Sequence, residues 1–427
     1  MKSGCEPTAN TPPAPTVTHR MEHPNMIRMI RMIRMIRMTR TAERFTALLV
    51  CTLLVASSGF ASAADKKTIG PDKTRWLQVR TRAINFLKSA QDDDGSWTSP
   101  QAAGLTALAT TALLESGLTA NDPVVARSLK FLESLAQKDG GIYHKKTLHR
   151  NYETSIAMLA LHAASPSASP AARKRYAAHI ARARDFLKNL QWDKGEGLET
   201  SDPGFGGAGY GKHKRPDLSN TQFFQEALLS AGVKQDDPAM KNVLLFVSRC
   251  QNLESEHNTT PFAGKIGNGG FYYTPAAGGT SQAGLTANGG LRSYGSMTYA
   301  GLKSMIYAGV KPGDPRIKAA IGWIKNNYSV RINPGLGQQG LYYYYHTFAK
   351  SLAVLDLDHV EDSAGVHHDW RAELFDQVAT LQRPNGSWVN RAPRWYEGDP
   401  NLSTAYILLA LKYCQPRPPK AEKAARP

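Results

Sequence analysis

The sequence predicts an all-α fold, an α/α toroid in which about six helical hairpins form an inner and an outer ring. An amphipathic helix that ends in Gln or Asn, and is usually followed by Gly and an aromatic residue, recurs along the chain. Each copy precedes an apolar segment rich in Ala and Leu, and three of the links back read G-[LV]-x-x-x-D-P. Units that cannot bury their own apolar face stack on their neighbours, and six such units can close into a ring. An open solenoid is the alternative, but it needs polar end units, which the terminal repeats do not show.

Residues 1–63 are predicted to be a leader rather than part of the fold. The run MIRMIRMIRMIRMTR at 26–40 is low-complexity sequence. A basic segment ending at Arg44 then precedes an apolar stretch, 45–60, and an Ala-Ser-Ala motif ending at Ala63. This order is typical of a secretory signal peptide, so we expect cleavage near Ala63 and an exported protein, periplasmic or extracellular. An uncleaved membrane anchor is the alternative, although the apolar stretch is short for a bilayer span.

Six outer helices are predicted from the amphipathic segments, which should face solvent on one side. The clearest copy runs from Arg82 to Gln91 and is followed by Gly95 and Trp97. The residues that close the six copies are Gln91, Gln137, Gln191, Gln251, Asn327 and Gln382.

Six inner helices are predicted from the segments that are apolar almost all round and should therefore be buried. Most of them contain a Thr near the start. Their ranges are 103–116, 153–164, 219–231, 296–308, 340–355 and 402–413. In the links back, Gly suits the left-handed position after a helix, Asp caps the next helix, and Pro suits its first turn.

The toroid is expected to span 64–414 and to be followed by a disordered, basic, Pro-rich tail, 415–427. The chain carries a net charge of +17. Its Lys and Arg are not clustered with aromatic residues, which argues against nucleic acid as a partner. Loose contact with an anionic membrane surface is compatible with the charge, and nothing in the pattern sets an oligomeric state.

The span from about 72 to 414 resembles the toroid of terpenoid cyclases and protein-prenyltransferase β subunits. Gln91, Gly95 and Trp97, preceded by Phe86, are similar to the QW repeat of squalene and oxidosqualene cyclases. The resemblance implies a central cavity for a hydrophobic isoprenoid, hopanoid or sterol. If there is turnover, it implies a terpenoid cyclase-like isomerase or a prenyltransferase-like transferase.

The sequence departs from both reaction motifs of that family. Class II cyclases carry a D-x-D-D-T stretch whose middle Asp is the acid, and the nearest match here, DLSNT at 217–221, has Ser219 at that position. Protein prenyltransferases hold zinc with Asp, Cys and His, and neither Cys250 nor Cys414 has an Asp two residues before it. We therefore expect no metal and no cofactor, and catalysis stays open.

The long loops that lead from outer to inner helices indicate the functional end. They cover roughly 192–218, 252–295 and 383–401 and contain Gly with aromatic residues. Loops of this length are usually functional or disordered, and in a ring of hairpins they all lie at one end.

The candidate proton donors are Asp217 and His346, and Asp399 is a third candidate catalytic residue near the same mouth. Tyr342, Tyr345 and His346 share one face of a helix, and their rings can line an apolar cavity or simply pack in the wall. The candidate ligand-binding residues are Asn220, Gln222, Tyr272, Tyr294, Tyr342, Tyr345 and Trp395.

Two further functions fit the sequence. The missing acid and zinc ligands favour a non-catalytic toroid that binds a ligand or another protein. The Trp- and Tyr-rich loops suit a toroid that binds or processes glycans, a function that other toroids carry. A cavity lined by aromatic rings would favour an isoprenoid-type ligand, whereas a cleft with two carboxylates about 5–9 Å apart would favour a glycan.

Overall fold

A computed structural model describes residues 68–211 and 215–419, and it confirms the predicted all-α class. The predicted leader, 1–63, lies outside the described residues. The outer helices are α1 (Lys73–Ser89), α3 (Pro123–Ser134), α5 (Pro170–Lys188), α7 (Pro238–Arg249), α10 (Pro315–Asn326) and α12 (Trp370–Leu381). The inner helices are α2 (Ala103–Glu115), α4 (Arg150–Ala164), α6 (Leu218–Ser230), α9 (Gly295–Tyr307), α11 (Leu341–Val354) and α13 (Pro400–Tyr413).

A short helix and a pair of short strands lie in the connections. The short helix α8 (Ala263–Ile266) lies in the long loop between α7 and α9. Strands β1 (Val360–Glu361) and β2 (His367–His368) pair antiparallel between α11 and α12.

The inner helices form a closed ring. Each packs against the next in chain order, and α13 packs against α2. Gln382 Nε2 donates a hydrogen bond to the carbonyl oxygen of Val79 at 2.9 Å, and Trp76 Nε1 donates to that of Leu411 at 3.0 Å. The last hairpin is thus joined to the first, which identifies the fold as a toroid and excludes the open solenoid.

The recurring Gln fastens four of the outer helices to the following one, whereas Gln137 and Asn327 donate within their own hairpins. Nε2 of Gln91 donates to the carbonyl oxygen of Gly95 in its own turn and to that of Val124 in α3, at 3.1 and 2.8 Å. Gln191, Gln251 and Gln382 bridge a turn and the following outer helix in the same way. The Gln is therefore a structural residue that ties hairpins together.

The Gly of the turn permits close packing against the next outer helix. Gly206 has a φ of +87°, and a Cβ added there would lie 1.9 Å from the carbonyl oxygen of Asn242 in α7. The positive φ and the close approach both require glycine at this position. Equivalent glycines are Gly95, Gly140, Gly269 and Gly386.

The repeat Thr of an inner helix binds the turn that precedes that helix. Thr106 Oγ1 accepts a hydrogen bond from the backbone N–H of Trp97, and Thr404 Oγ1 accepts one from Trp388, both at 3.2 Å. Thr154, Thr221 and Thr298 do the same. Thr347 does not, because the fifth hairpin lacks the Gly–aromatic turn, and its hydroxyl donates to carbonyl oxygens within α11 instead.

The beginning of the predicted tail is held in place. The backbone of Arg417 exchanges two hydrogen bonds with that of Ile69, at 2.8 and 3.0 Å, and its guanidinium contacts Asp358. Arg417 is thus bonded to the toroid, and 420–427 lie outside the described residues. In the described part of the chain, every helix is too short or too polar to span a bilayer.

Candidate functional site

Asp217 lies at the N-terminus of α6, at the end of the ring where the long loops meet the inner helices. It is 2% exposed and accepts hydrogen bonds from the backbone N–H and from Nδ2 of Asn220, both at 2.8 Å. Burial raises the pKa of Asp217 to about 6, although hydrogen bonds from Asn220 and Tyr273 act in the opposite direction. The carboxyl group is therefore a weak acid that changes charge near neutral pH.

Three tyrosines lie close enough to this carboxyl group to be influenced by its charge. Burial, reinforced by the nearby Asp217, raises the pKa of Tyr210, Tyr273 and Tyr294, so all three are neutral phenols. Tyr273 lies close enough to Asp217, and Tyr210 close enough to Tyr273 and Asn220, for these neighbours to shift the pKa of each phenol. We call Asp217, Asn220, Tyr210, Tyr273 and Tyr294 the acid end.

Four aromatic side chains form a closed circuit next to the acid end. Tyr152 and Phe223 meet edge to face with centroids 5.6 Å apart, and Phe223 lies 6.4 Å from Tyr343. Tyr343 lies 5.7 Å from Tyr406, whose hydroxyl is 3.5 Å from that of Tyr152. These four residues come from four different inner helices, so their circuit crosses the interior of the toroid. We call them the axial aromatic ring.

Part of the axial aromatic ring keeps accessible surface. Tyr152 and Tyr343 are surrounded by protein and still retain accessible surface, as does the neighbouring Ser219. Ser219 Oγ lies 3.0 Å from the hydroxyl oxygen of Tyr343. Ser219, which the sequence predicts to occupy the position of the cyclase acid, therefore carries a hydroxyl group paired with a phenol.

A buried ion network lies beyond the ring, toward the C-terminal ends of the inner helices. Glu226 of α6 contacts both Lys303 of α9 and Lys350 of α11. Gln222 Oε1 accepts a hydrogen bond from Lys303 Nζ at 2.7 Å, and Gln222 Nε2 donates to the hydroxyl of Tyr343. A continuous hydrogen-bonded chain thus connects the axial aromatic ring with Glu226, Lys303 and Lys350, which we call the ion network.

The ion network sets the charge of its neighbourhood. Burial alone would raise the pKa of Glu226, but Lys303 and Lys350 outweigh that effect and hold it at about 2. Burial lowers the pKa of Lys303 to about 8 despite Glu226. Burial and the two ammonium groups lower the pKa of His346 far below its ordinary value. His346 is therefore a neutral imidazole, which suits it poorly to donate a proton.

The structure brings half of the predicted site residues to this interior. Asn220 and Tyr294 lie at the acid end with Asp217, and Gln222 links the axial aromatic ring to the ion network. The ring of His346 stacks on that of Tyr406 at a centroid distance of 6.0 Å.

The remaining predicted residues lie elsewhere. The hydroxyls of Tyr342 and Tyr345 donate to the carbonyl oxygens of Val389 and Val330, and that of Tyr272 donates to Arg249. Asp399 caps α13 through the backbone N–H groups of Asn401 and Leu402 and accepts from Thr98 Oγ1. Trp395 lies in a loop and is 40% exposed.

The phenols of Tyr342 and Tyr345 bond to loop carbonyl oxygens, whereas His346, which was predicted to share their face, lies in the interior. Tyr343, His346 and Lys350 face the interior, at i, i+3 and i+7. The prediction aligned Thr347 with the other repeat Thr residues, but the fifth hairpin does not use it that way. The register of α11 therefore differs from that of the other inner helices.

Sequence reasoning also missed Lys303 and Lys350, and a signal for Lys303 exists. Glu226 and Lys303 each lie five residues after a repeat Thr, Thr221 and Thr298. Opposite charges at the same repeat position of neighbouring apolar helices predict a buried pair.

Two other buried carboxyl groups serve as local caps. Burial raises the pKa of Glu153 to about 7 and that of Glu397 to about 6. Glu153 accepts from the backbone N–H of His144 at 2.9 Å, and Glu397 accepts from that of Tyr343 at 2.8 Å. Within 68–211 and 215–419, no group of three or more His, Cys, Asp or Glu side chains is arranged to hold a metal ion.

Comparison with protein-family models gives no match, and neither does comparison with curated protein sequences. Among solved structures, the chain is similar to type II terpene cyclase MstE from Scytonema in its unliganded form. The identity is 14% and the TM-score 0.48, over 80% of this chain and 98% of that one. A variant of MstE in complex with merosterolic acid A, its product, aligns at 14% identity and a TM-score of 0.42, over 80% and 97%. The assignment of the toroid rests on the closed ring of helices described above.

Proposed function

We propose that the protein binds an isoprenoid-type apolar ligand inside the toroid. The observation that carries this proposal is the axial aromatic ring, whose members Tyr152 and Tyr343 keep accessible surface within the protein. Aromatic walls with a few placed polar groups are typical of small-molecule sites. The acid end supplies such groups, because Asp217 and Asn220 can hold a hydroxyl or similar group of the ligand.

We propose binding without cyclisation started by protonation of an alkene. Such a reaction needs an acid strengthened by its surroundings, whereas burial makes Asp217 a weaker acid. Ser219, which the sequence predicts to occupy the position of the family's acid, cannot supply the proton. The neutral His346 is a poor donor for the same step.

A ligand-binding assay with a filling variant tests this proposal. Farnesol is added to the chain 64–427, and binding is measured by native mass spectrometry and by titration calorimetry. Ser219→Phe places a benzyl group beside Tyr343 and should abolish binding, since it occupies the proposed space.

The matched control is Ser230→Phe, at the other end of the same helix. Ser230 is partly exposed, and its hydroxyl donates only to the carbonyl oxygen of Ala227. This variant should bind farnesol like the wild type. Absence of farnesol binding to the wild type, or equal binding by the Ser219→Phe variant, would refute the proposed site.

We also propose that the protein is exported. The support is the succession of a basic segment, an apolar stretch and a motif of small residues that ends at Ala63, as in a signal peptide. N-terminal sequencing of the protein from the exported fraction of its host should give a chain that starts at residue 64. An intact leader on protein that stays with the membrane would favour the anchor instead.

A further inference from the structure

The ion network places two lysines on one carboxylate inside the toroid. The side chains of Lys303 and Glu226 are 1% and 5% exposed, and that of Lys350 is 17% exposed. Among the described residues, Lys350 Nζ has Glu226 as its only hydrogen-bond acceptor. An ammonium group can donate three hydrogen bonds, so two donors of Lys350 remain available for a ligand.

The network carries one positive charge in excess. Glu226 is ionised at neutral pH, and both lysines are largely protonated. The other titratable groups that face Lys350 are the neutral imidazole of His346 and the phenols of Tyr307 and Tyr413. None of them offsets the excess charge. An uncompensated charge in a protein interior is costly, and a bound anion removes that cost.

A second polar group without a partner lies beside the network. His346 is 4% exposed, and its Nδ1 has no hydrogen-bond partner in the described part of the chain. It lies close enough to Lys303, Lys350 and Glu226 for their charges to shift its pKa. Buried polar atoms are rarely left unpaired, so a missing partner here points to a ligand.

We propose that the ion network is the head-group subsite for a monoanionic, carboxylate-type ligand, with Lys350 Nζ and His346 as its hydrogen-bond donors. A single negative charge matches the single positive excess. This inference rests on the proposed function, because the apolar chain of the same ligand would lie against the axial aromatic ring.

The spacing of the two regions suits one elongated ligand. Ser219 and Glu226 are seven residues apart on α6, as are Tyr343 and Lys350 on α11. Seven helical residues span about 10 Å. The backbone positions of Lys350 and Tyr343 are therefore about that far apart along α11, as are those of Glu226 and Ser219 along α6.

The test compares two ligands that differ only in the head group, farnesol and farnesoic acid. The wild-type chain should bind farnesoic acid about tenfold more tightly at pH 7, since charge-assisted hydrogen bonds are the stronger kind. Lys350→Met keeps the Glu226–Lys303 pair and removes the excess charge. It should reduce the preference to less than about threefold while farnesol still binds.

Lys325→Met is the matched control, since Lys325 lies on outer helix α10 and pairs with Glu361 at the surface. It should keep the full preference for farnesoic acid. Circular dichroism of each variant shows whether it is folded.

The head-group subsite can also be tested on the wild-type protein alone. The ¹³C resonance of labelled farnesoic acid should titrate at lower pH when the acid is bound than when it is free, because the subsite stabilises the carboxylate. A bound acid that titrates at the same or higher pH would overturn the head-group subsite.

The outcomes separate the two proposals. Equal affinity for farnesol and farnesoic acid, or a preference that survives Lys350→Met, overturns the head-group subsite and leaves the proposed function standing. Failure of both ligands to bind the wild type overturns the proposed function, and the subsite with it.

Discussion

The turns inside the hairpins and the interior of the toroid differ in how far their residues repeat. In the turns, the same residue types recur and make the same contacts, as in Gln91 and Gln382, each of which bridges a turn and the following outer helix. In the interior, corresponding positions hold Glu226 on one helix and Lys303 on the next. Repetition therefore marks the residues that build the ring, and departure from repetition marks the residues that give the interior its chemistry.

Loss of Glu226 should be the most damaging change in the interior. Glu226→Gln leaves two buried lysines without a counter-charge, and breaking a buried ion pair in this way typically costs about 3–5 kcal/mol. Urea unfolding followed by circular dichroism measures the loss. Glu361→Gln breaks an exposed pair with Lys325 and should change the free energy of unfolding by less than about 1 kcal/mol. Similar small losses in both variants would mean that the ion network is not buried as described.

Adding a methyl group at a turn glycine should lower the free energy of unfolding nearly as much as the loss of Glu226. Gly206→Ala forces a Cβ against the backbone of α7 and strains a positive φ, and we expect a loss of about 2–4 kcal/mol. Gly197 is the control, because it also has a positive φ, +77°, but a Cβ there meets nothing within 4 Å. Gly197→Ala should cost about 1 kcal/mol. Equal losses at the two sites would show that backbone strain alone, and not close packing of the turn, makes the repeat glycine necessary.

The acid end should make stability depend on pH. Folding raises the pKa of Asp217 to about 6 from an ordinary value of 3.8, so the folded protein binds the proton more tightly than the unfolded chain. The contribution of Asp217 to stability is thus present below pH 4 and is lost as the pH rises through 6, by about 2 kcal/mol between pH 4.5 and 7.5. Asp217→Asn should remove that part of the dependence. Glu153 and Glu397 act in the same direction and remain in both proteins, so the difference between the two unfolding profiles isolates Asp217.

Opening the ring should have the smallest of these effects. Gln382→Ala removes the hydrogen bonds to Val79 and Gly386 that join the last hairpin to the first, and we expect a loss of about 1–2 kcal/mol. Gln101→Ala changes an exposed side chain and should cost less than about 0.5 kcal/mol. Hydrogen exchange should show faster exchange in α1 and α12 for the first variant only. Faster exchange spread evenly over all hairpins would contradict a local role in ring closure.

The sequence was sufficient for the ring because its determinants are local and repeated. Gln, Gly and Thr recur in the same order, so one hairpin predicts the next, and the inner helices lie within a few residues of their predicted ranges. The closing contact between α13 and α2 follows from the count of hairpins.

The interior was only partly predictable, because it depends on the register of each inner helix. Asp217, Asn220 and Gln222 flank a repeat Thr, Thr221, that is in standard register, and all three lie inside the toroid. Tyr343 was missed because α11 departs from that register. Lys350 and Glu226 are 124 residues apart in the chain, so no local sequence pattern predicts that they pair.

Photoaffinity mapping tests the interior site most directly. A diazirine analogue of farnesol is bound to the chain 64–427 and activated by light, and the attached residues are located by tandem mass spectrometry. Attachment should fall on the peptides that contain Tyr152, Phe223, Tyr343 and Tyr406, and unlabelled farnesol should compete for all four. Attachment confined to the apolar surface groove between α10 and α11, lined by Ile321, Leu352 and Leu357, would contradict a binding site inside the toroid.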